Sequence, residues 1–314
     1  MLLHRIHLFP AGRTFAATAV ALASICSAGA QTRQVRDVAA FRSDATLVLV
    51  PVTVVDDRGA IVNGLASGAF TLTEDGVRQR VHSFSEEDAP VSMGIVLDLS
   101  GSMRDVLSPA KEALRALMKD ANPADESFLN TVSTSPRAYS GFTHDFDEVL
   151  SRVAFEKAGG GTALIDTIYG SLQELRSGIH ARKALLVISD GMDNHSRYSK
   201  QELLDRAVES DAQIYTIAVD NARAFSKPME RREESQGLLF LDELAAKTGG
   251  MSFVVRGQPD ILAAAARIGR ALRDQYTIGF VPRGDGRGGH WRRIKVKVEG
   301  SGLKAYARAG YRLE

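Results

Sequence analysis

The sequence predicts an α/β fold: a doubly wound, mostly parallel sheet with helices on both faces, joined to a small antiparallel β domain built from both flanks. Three observations lead there. From 91 to 275 the chain alternates short apolar runs with segments of helical periodicity, the pattern of βα units around a parallel sheet. Two of those runs, Met93 to Leu97 and Ala184 to Ser189, are almost continuously apolar, as strands buried on both faces are. The flanks at 45–90 and 276–314 are rich in β-branched residues but too short to bury a core separately, so they are expected to pair with each other.

Residues 1–30 have the layout of a secretory signal peptide. Arg5 and Arg13, with His4 and His7, precede an apolar stretch from Phe15 to Ile25, and Ala28-Gly29-Ala30 supplies the small residues of a cleavage site. The stretch is shorter than the roughly 20 residues a membrane helix needs, so the expectation is an exported, periplasmic or extracellular protein with no stable membrane span after cleavage. An uncleaved amino-terminal anchor is the alternative. Cys26 is the single cysteine and lies in the segment to be removed. Ile25 before it argues against lipidation, and the mature chain would hold neither disulfides nor cysteine–metal sites. Residues 31–44 are polar and read as a linker.

The 45–90 unit opens with a strand through Thr46 to Val55 and a turn at Asp56 to Gly59. Phe70 to Glu74 follows, and Asp75-Gly76 is a hairpin signal before Val77 to Phe84. In the 91–275 domain, helical spacing covers Val106 to Met118, Asp145 to Val153 and a segment presenting Leu164, Ile165, Ile168, Leu172 and Leu175. Helices are expected also at 200–210, 238–247 and 261–272. Strands are expected at 126–133, 213–219 and 252–255, with an edge strand at 137–142. The charged stretch 221–236 shows no periodicity and reads as a loop. In the 276–314 unit, Tyr276 to Pro282 and Arg293 to Glu299 are strands around a glycine-rich turn at 283–289, and further strands lie between Leu303 and Leu313.

Composition narrows the function classes. Of 314 residues, 44% are hydrophobic and 25% charged, and the net charge of +1 gives no electrostatic footprint for nucleic acid. The chemistry concentrates in three loops. After the first buried strand come Asp98, Ser100 and Ser102; Gly159-Gly160-Gly161-Thr162 precedes a helix; Asp190-Gly191 ends the second buried strand. Loops beyond the carboxyl ends of neighbouring strands converge in such sheets. Side-chain oxygens alone suit a hard cation, Mg²⁺ foremost, with Mn²⁺ or Ca²⁺ as alternatives. Each position also has a plainer reading: serine or threonine as a helix cap, Asp-Gly as a turn.

Taken together, Asp98, Ser100, Ser102, Thr162 and Asp190 resemble the metal-ion-dependent adhesion site of the von Willebrand factor type A family, whose pattern is Asp-x-Ser-x-Ser, then Thr, then Asp. The resemblance spans about 91–275, and the flanking β segments resemble those of secreted bacterial proteins with this Rossmann-like domain. It implies that Ser100, Ser102 and Thr162 ligate the ion directly, while Asp98 and Asp190 act largely through water. It further implies a non-catalytic function, in which an open coordination position takes an acidic side chain from a protein partner.

Two other classes compete with this reading. A metal-assisted hydrolase lacks a second acid two residues after Asp98 and a Gly-x-Ser-x-Gly elbow near the site. A non-catalytic envelope scaffold with a structural or vestigial metal site stays open. Asp193 and Asn194 are read as solvated loop residues rather than outer ligands. Arg283-Gly284-Asp285 is read as part of a hairpin turn, and Asn194-His195-Ser196 fits a glycosylation sequon of consequence only in a glycosylating host.

Overall fold

The computed structural model describes residues 47–312, apart from 120, 135–136, 139–140, 155, 222–227 and 283–289. The expected signal peptide, the linker and the Arg283-Gly284-Asp285 turn lie outside the described residues.

A six-stranded sheet forms the centre. Its strands are β5 (Val91–Asp98), β6 (Glu126–Val132), β7 (Arg137–Ala138), β8 (Arg182–Ser189), β9 (Gln213–Val219) and β10 (Ser252–Val255), in the order β10-β9-β8-β5-β6-β7. All neighbours run parallel except β7, a short antiparallel edge. Every residue of β5 is buried. Met93, Ile95 and Leu97 face α1 (Leu107–Lys119) and α6 (Gln258–Arg273). Val96, one position out of phase, faces α3 (Leu164–Leu175), α4 (Lys200–Glu209) and α5 (Pro228–Thr248) on the other side. Two-sided burial explains why these strands read as apolar runs instead of alternating. At Gly94 the space a side chain would take is filled by Phe128 and Leu185, so small size there is a packing requirement.

The flanks pair as expected. β1 (Val48–Val55), β4 (Val81–Glu86), β11 (Tyr276–Phe280) and β13 (Lys304–Tyr306) make one antiparallel sheet; β2 (Phe70–Glu74), β3 (Val77–Arg78), β12 (Trp291–Val298) and β14 (Gly310–Arg312) make another. One core, including Val50, Val52, Phe70, Leu72, Tyr276, Ile278, Phe280 and Ile294, joins both sheets. The β2–β3 hairpin turns on Asp75 (φ 48°) and Gly76 (φ 83°), the two positive dihedrals of the tight turn that Asp-Gly favours. The expected strand 77–84 divides: β3 completes the hairpin, and β4 crosses to pair with β11 in the other sheet. Gln275 ties the β unit to the central sheet, its Nε2 donating to Thr53 Oγ1, Gln213 Oε1 and Tyr215 OH.

One expectation is overturned. Much of the stretch 221–236, read as a loop, is helical, because α5 begins at Pro228 and runs on through the expected 238–247 helix. Its first turns hold proline at the opening position, then Met, Glu, Arg and Gln, all strong helix formers. Hydrophobic periodicity misses it because the buried positions of that half are Glu234 and Gly237. Among the described residues no helix is long and apolar enough to cross a membrane.

Candidate metal centre

Three loops meet at the carboxyl edge of the central sheet. The first leaves β5 at Asp98 and makes a single helical turn at Gly101–Met103 before α1. Asp98 is fully buried; its Oδ1 accepts the Ser100 amide at 2.8 Å and its Oδ2 accepts the Ser189 hydroxyl at 2.6 Å. This tight turn brings the Ser100 and Ser102 hydroxyls to 3.0 Å of each other.

The second loop is held against the first, with the Gly159 amide donating to Leu99 O at 2.7 Å. Gly160 adopts φ +84°, a left-handed conformation that glycine takes without strain. Thr162 is buried and does not cap α3: the capping position falls to Ala163, without a side-chain bond. The Thr162 hydroxyl has no hydrogen-bond partner among the described residues. Its backbone is fixed from the third loop, where Asn194 Oδ1 accepts the Thr162 amide and the Asn194 and His195 amides donate to Thr162 O. Asp193 Oδ1 accepts the Ile165 amide, and Ser196 Oγ the Asp166 amide, in the first turn of α3. Asp193 and Asn194 do lie in a loop, Asn194 exposed, and their side chains are also engaged there. They cap α3 and hold the Thr162 loop, and the side chain of the Asn194 sequon is engaged in doing so.

The third loop carries Asp190, fully buried, whose Oδ1 accepts the Met192 amide at 3.1 Å. Its Oδ2 is buried with no hydrogen-bond partner among the described residues. Gly191 turns at φ +77° directly against Gly237 of α5, and a side chain on either glycine would collide with the other's backbone. Asn221, which follows β9, reaches across to the first loop: its Nδ2 donates to Ser102 O at 3.1 Å while its amide donates to Glu234 Oε1 of α5.

The electrostatics are unusual for a site made only of protein. Burial, and then the neighbouring Asp190 charge, push the Asp98 pKa up to about 7. Burial also raises Asp190. Glu234 is lifted to about 7, by burial first and with the Asp220 and Asp190 charges adding to it. Ionised carboxylates buried side by side are costly unless a cation offsets them. The donor set fits a hard divalent ion: hydroxyls at Ser100, Ser102 and Thr162, carboxylates at Asp98 and Asp190, and a spare buried Oδ2. Among the described residues no group of three or more His, Cys, Asp or Glu side chains is placed to hold a metal ion, so this donor set depends on its hydroxyls.

The sequence singled out the five oxygen donors but not their supports. Ser189 was legible only as the residue before an Asp-Gly turn. Asn221 and Glu234 lie in the stretch that shows no periodicity.

Comparison with known proteins gives the following. The family model described as the von Willebrand factor type A domain matches residues 93–192. A solved von Willebrand factor type A protein from Catenulispora acidiphila is 14% identical over 87% of this chain and 74% of its own, with a TM-score of 0.48. An aerotolerance-related membrane protein from Bacteroides fragilis is 16% identical over 58% of this chain and 98% of its own, at a TM-score of 0.46. The vWF domain of a type V pili tip protein from Porphyromonas gingivalis is 12% identical over 60% of this chain and 96% of its own, at 0.43. No curated protein matches.

Proposed function

Because the von Willebrand factor type A domain model matches residues 93–192, we propose that this chain is an exported, non-catalytic binding protein of that kind. Its partner would be a protein that offers an acidic side chain to a Mg²⁺-type ion held by Asp98, Ser100, Ser102, Thr162 and Asp190. The observation that carries the reading is the pair of buried carboxylates, Asp98 and Asp190, set beside two adjoining hydroxyls with no cationic side chain paired to them among the described residues.

Each side chain then has a task. Ser100, Ser102 and Thr162 present neutral oxygens to the ion, which leaves its charge only partly offset. Asp98 and Asp190 supply negative charge from behind. Asp98 also fixes the loop by accepting the Ser100 amide, and Ser189 orients the Asp98 carboxylate. The bound ion supplies Lewis acidity toward a carboxylate oxygen, which is what binding an acidic partner needs. No nucleic acid and no stable membrane span enter this reading.

Calorimetric titration of Mg²⁺ and Mn²⁺ into the mature protein tests it, beside an Asp98→Ala, Ser100→Ala double variant. Wild-type binding that disappears in the folded variant is the expected result. Absence of wild-type binding at millimolar metal would favour the scaffold reading.

A further inference from the structure

Where α1 meets the segment that follows α2 (Phe146–Ala154), the surface opens into a cleft of about 680 Å³. Its walls carry Arg104, Lys111, Arg115 and Lys157 over Leu107, Ala154 and Ala158, and Glu156 is the one acid among the described lining residues. The rim is shared with the metal centre. Arg104 follows Ser102 by two residues, and Ala158 precedes Gly159, whose amide is bonded to Leu99 of the first loop.

The cations here are set apart from the ion-paired arginines of the molecule by gathering round one concavity. Arg256, Arg273, Arg292, Arg308 and Arg312 each pair with a carboxylate. Exposed Arg104, Arg115 and Lys157 have no ion-pair or hydrogen-bond partner among the described residues. Lys111 spends its protons on Ala154 O and Glu156 O and so braces the wall of the cleft. Three unpaired cations around one concavity make a local positive field, which attracts and orients an anionic ligand more than it stabilises the fold.

We propose that this cleft is a second anchor for the partner: it takes further carboxylates of an acidic protein segment whose first carboxylate reaches the metal centre. The proposal rests on the metal-dependent reading above and assigns the partner a charge pattern, an acidic run rather than a lone acid. Selection follows from geometry: a segment with one carboxylate satisfies only the ion, whereas an acidic run satisfies both sites on the same rim.

The test is fluorescence anisotropy with a labelled synthetic peptide holding one Asp, a Gly-Ser spacer and four Glu, and a control peptide with Gln for each Glu. Wild type is compared with Arg104→Gln/Arg115→Gln/Lys157→Gln and with the corresponding triple Glu variant, in Mg²⁺ and in EDTA. Melting curves and Mg²⁺ calorimetry verify that each variant is folded and retains its metal affinity. Expected are a loss of at least about tenfold for the Glu-rich peptide in the Gln variant, a larger loss in the Glu variant, and little change for the control peptide. Raising salt should weaken the Glu-rich peptide more than the control. Equal affinity across wild type and variants overturns the second anchor, and so does a failure of wild type to prefer the Glu-rich peptide. Binding that resists EDTA yet falls in the variants keeps the cleft and removes the metal-dependent reading. Binding lost in EDTA yet unchanged in the variants does the reverse. Polyphosphate or duplex DNA outcompeting the Glu-rich peptide at equal charge would also overturn the proposal, by showing an anion site with no preference for acidic protein.

Discussion

The two ends of the central sheet both bury acids, and they treat them in opposite ways. At the amino end, Asp125 accepts the Val91 and Asn122 amides and is gripped by Arg273 at 2.8 Å. Next to it Glu126 accepts the Ser92 hydroxyl and the Ile179 amide, both at 2.6 Å. At the carboxyl end, Asp98 and Asp190 lie with amides and hydroxyls but, among the described residues, no basic side chain, and one oxygen is left without a partner there. An acid whose lone pairs and charge are met by the protein stabilises the fold. An acid left short costs stability until something offsets its charge, which is the role the proposed ion would take. The same strand, β5, begins in the first situation and ends in the second.

Removing the partner from the satisfied end should have the largest effect. Asp125→Ala deprives Arg273 of its better-buried partner and two amides of their acceptor, leaving Asp88, which is half exposed, as the remaining contact. A loss of about 3 kcal/mol in urea unfolding is expected, with Mg²⁺ affinity unchanged in whatever fraction stays folded. A loss below about 1 kcal/mol would remove the claim that this end is structural.

At the other end the sign should invert. A carboxylate whose folded pKa stands above its unfolded value contributes stability while protonated, and that contribution falls as pH rises through the folded pKa. For Asp98 the window runs from its ordinary value of 3.8 to about 7. Metal-free wild type should therefore lose stability across that range, and Asp98→Asn should lose less. The gain in the variant at pH 8 is expected at ~2 kcal/mol, short of the full linkage because the asparagine amide must replace the hydrogen bonds of the acid. Denaturant melts in EDTA at pH 5 and pH 8 give the comparison. The same variant should gain no stability from added Mg²⁺. A variant less stable than wild type at pH 8 without metal would show that Asp98 is an ordinary structural acid.

The difference between the ends also sets what the sequence could reveal. Strands β5 and β8 were legible because burial on both faces demands apolar residues at every position, and the oxygen donors because they sit at fixed offsets from those strand ends. The pairing of the flanks followed from each being too small for a core of its own. Helix α5 was not legible in its first half, because its contact with the site uses Glu234 and Gly237: a charge facing a loop and a glycine facing a glycine leave no apolar stripe to count. The bonds made by Asp193 and Asn194 were hidden for a related reason. Capping a helix that begins 30 or so residues earlier in the chain is a tertiary relation, and local patterns hold no trace of it.

The smallest effect should come from that hidden half of α5, and it tests whether the open end of the sheet is held in shape from outside. Glu234 accepts the Asn221 amide, and Asn221 in turn grips Ser102 O, so a chain of two hydrogen bonds runs from the helix to a donor loop. Side chains that orient metal donors without touching the ion typically change affinity by roughly 10–100-fold when removed. Asn221→Ala should sit near the lower bound, about tenfold weaker for Mg²⁺ by calorimetry, because Asp98 still fixes the adjoining Ser100 amide. Glu234→Ala should give a similar loss, and the double variant little more than either alone, since both cut the same chain. Glu234→Gln keeps an acceptor oxygen and should recover most of the affinity, which a purely packing role for Glu234→Ala would not anticipate. Losses that simply add would mean that helix and loop act separately, and that the donor loop keeps its shape without α5.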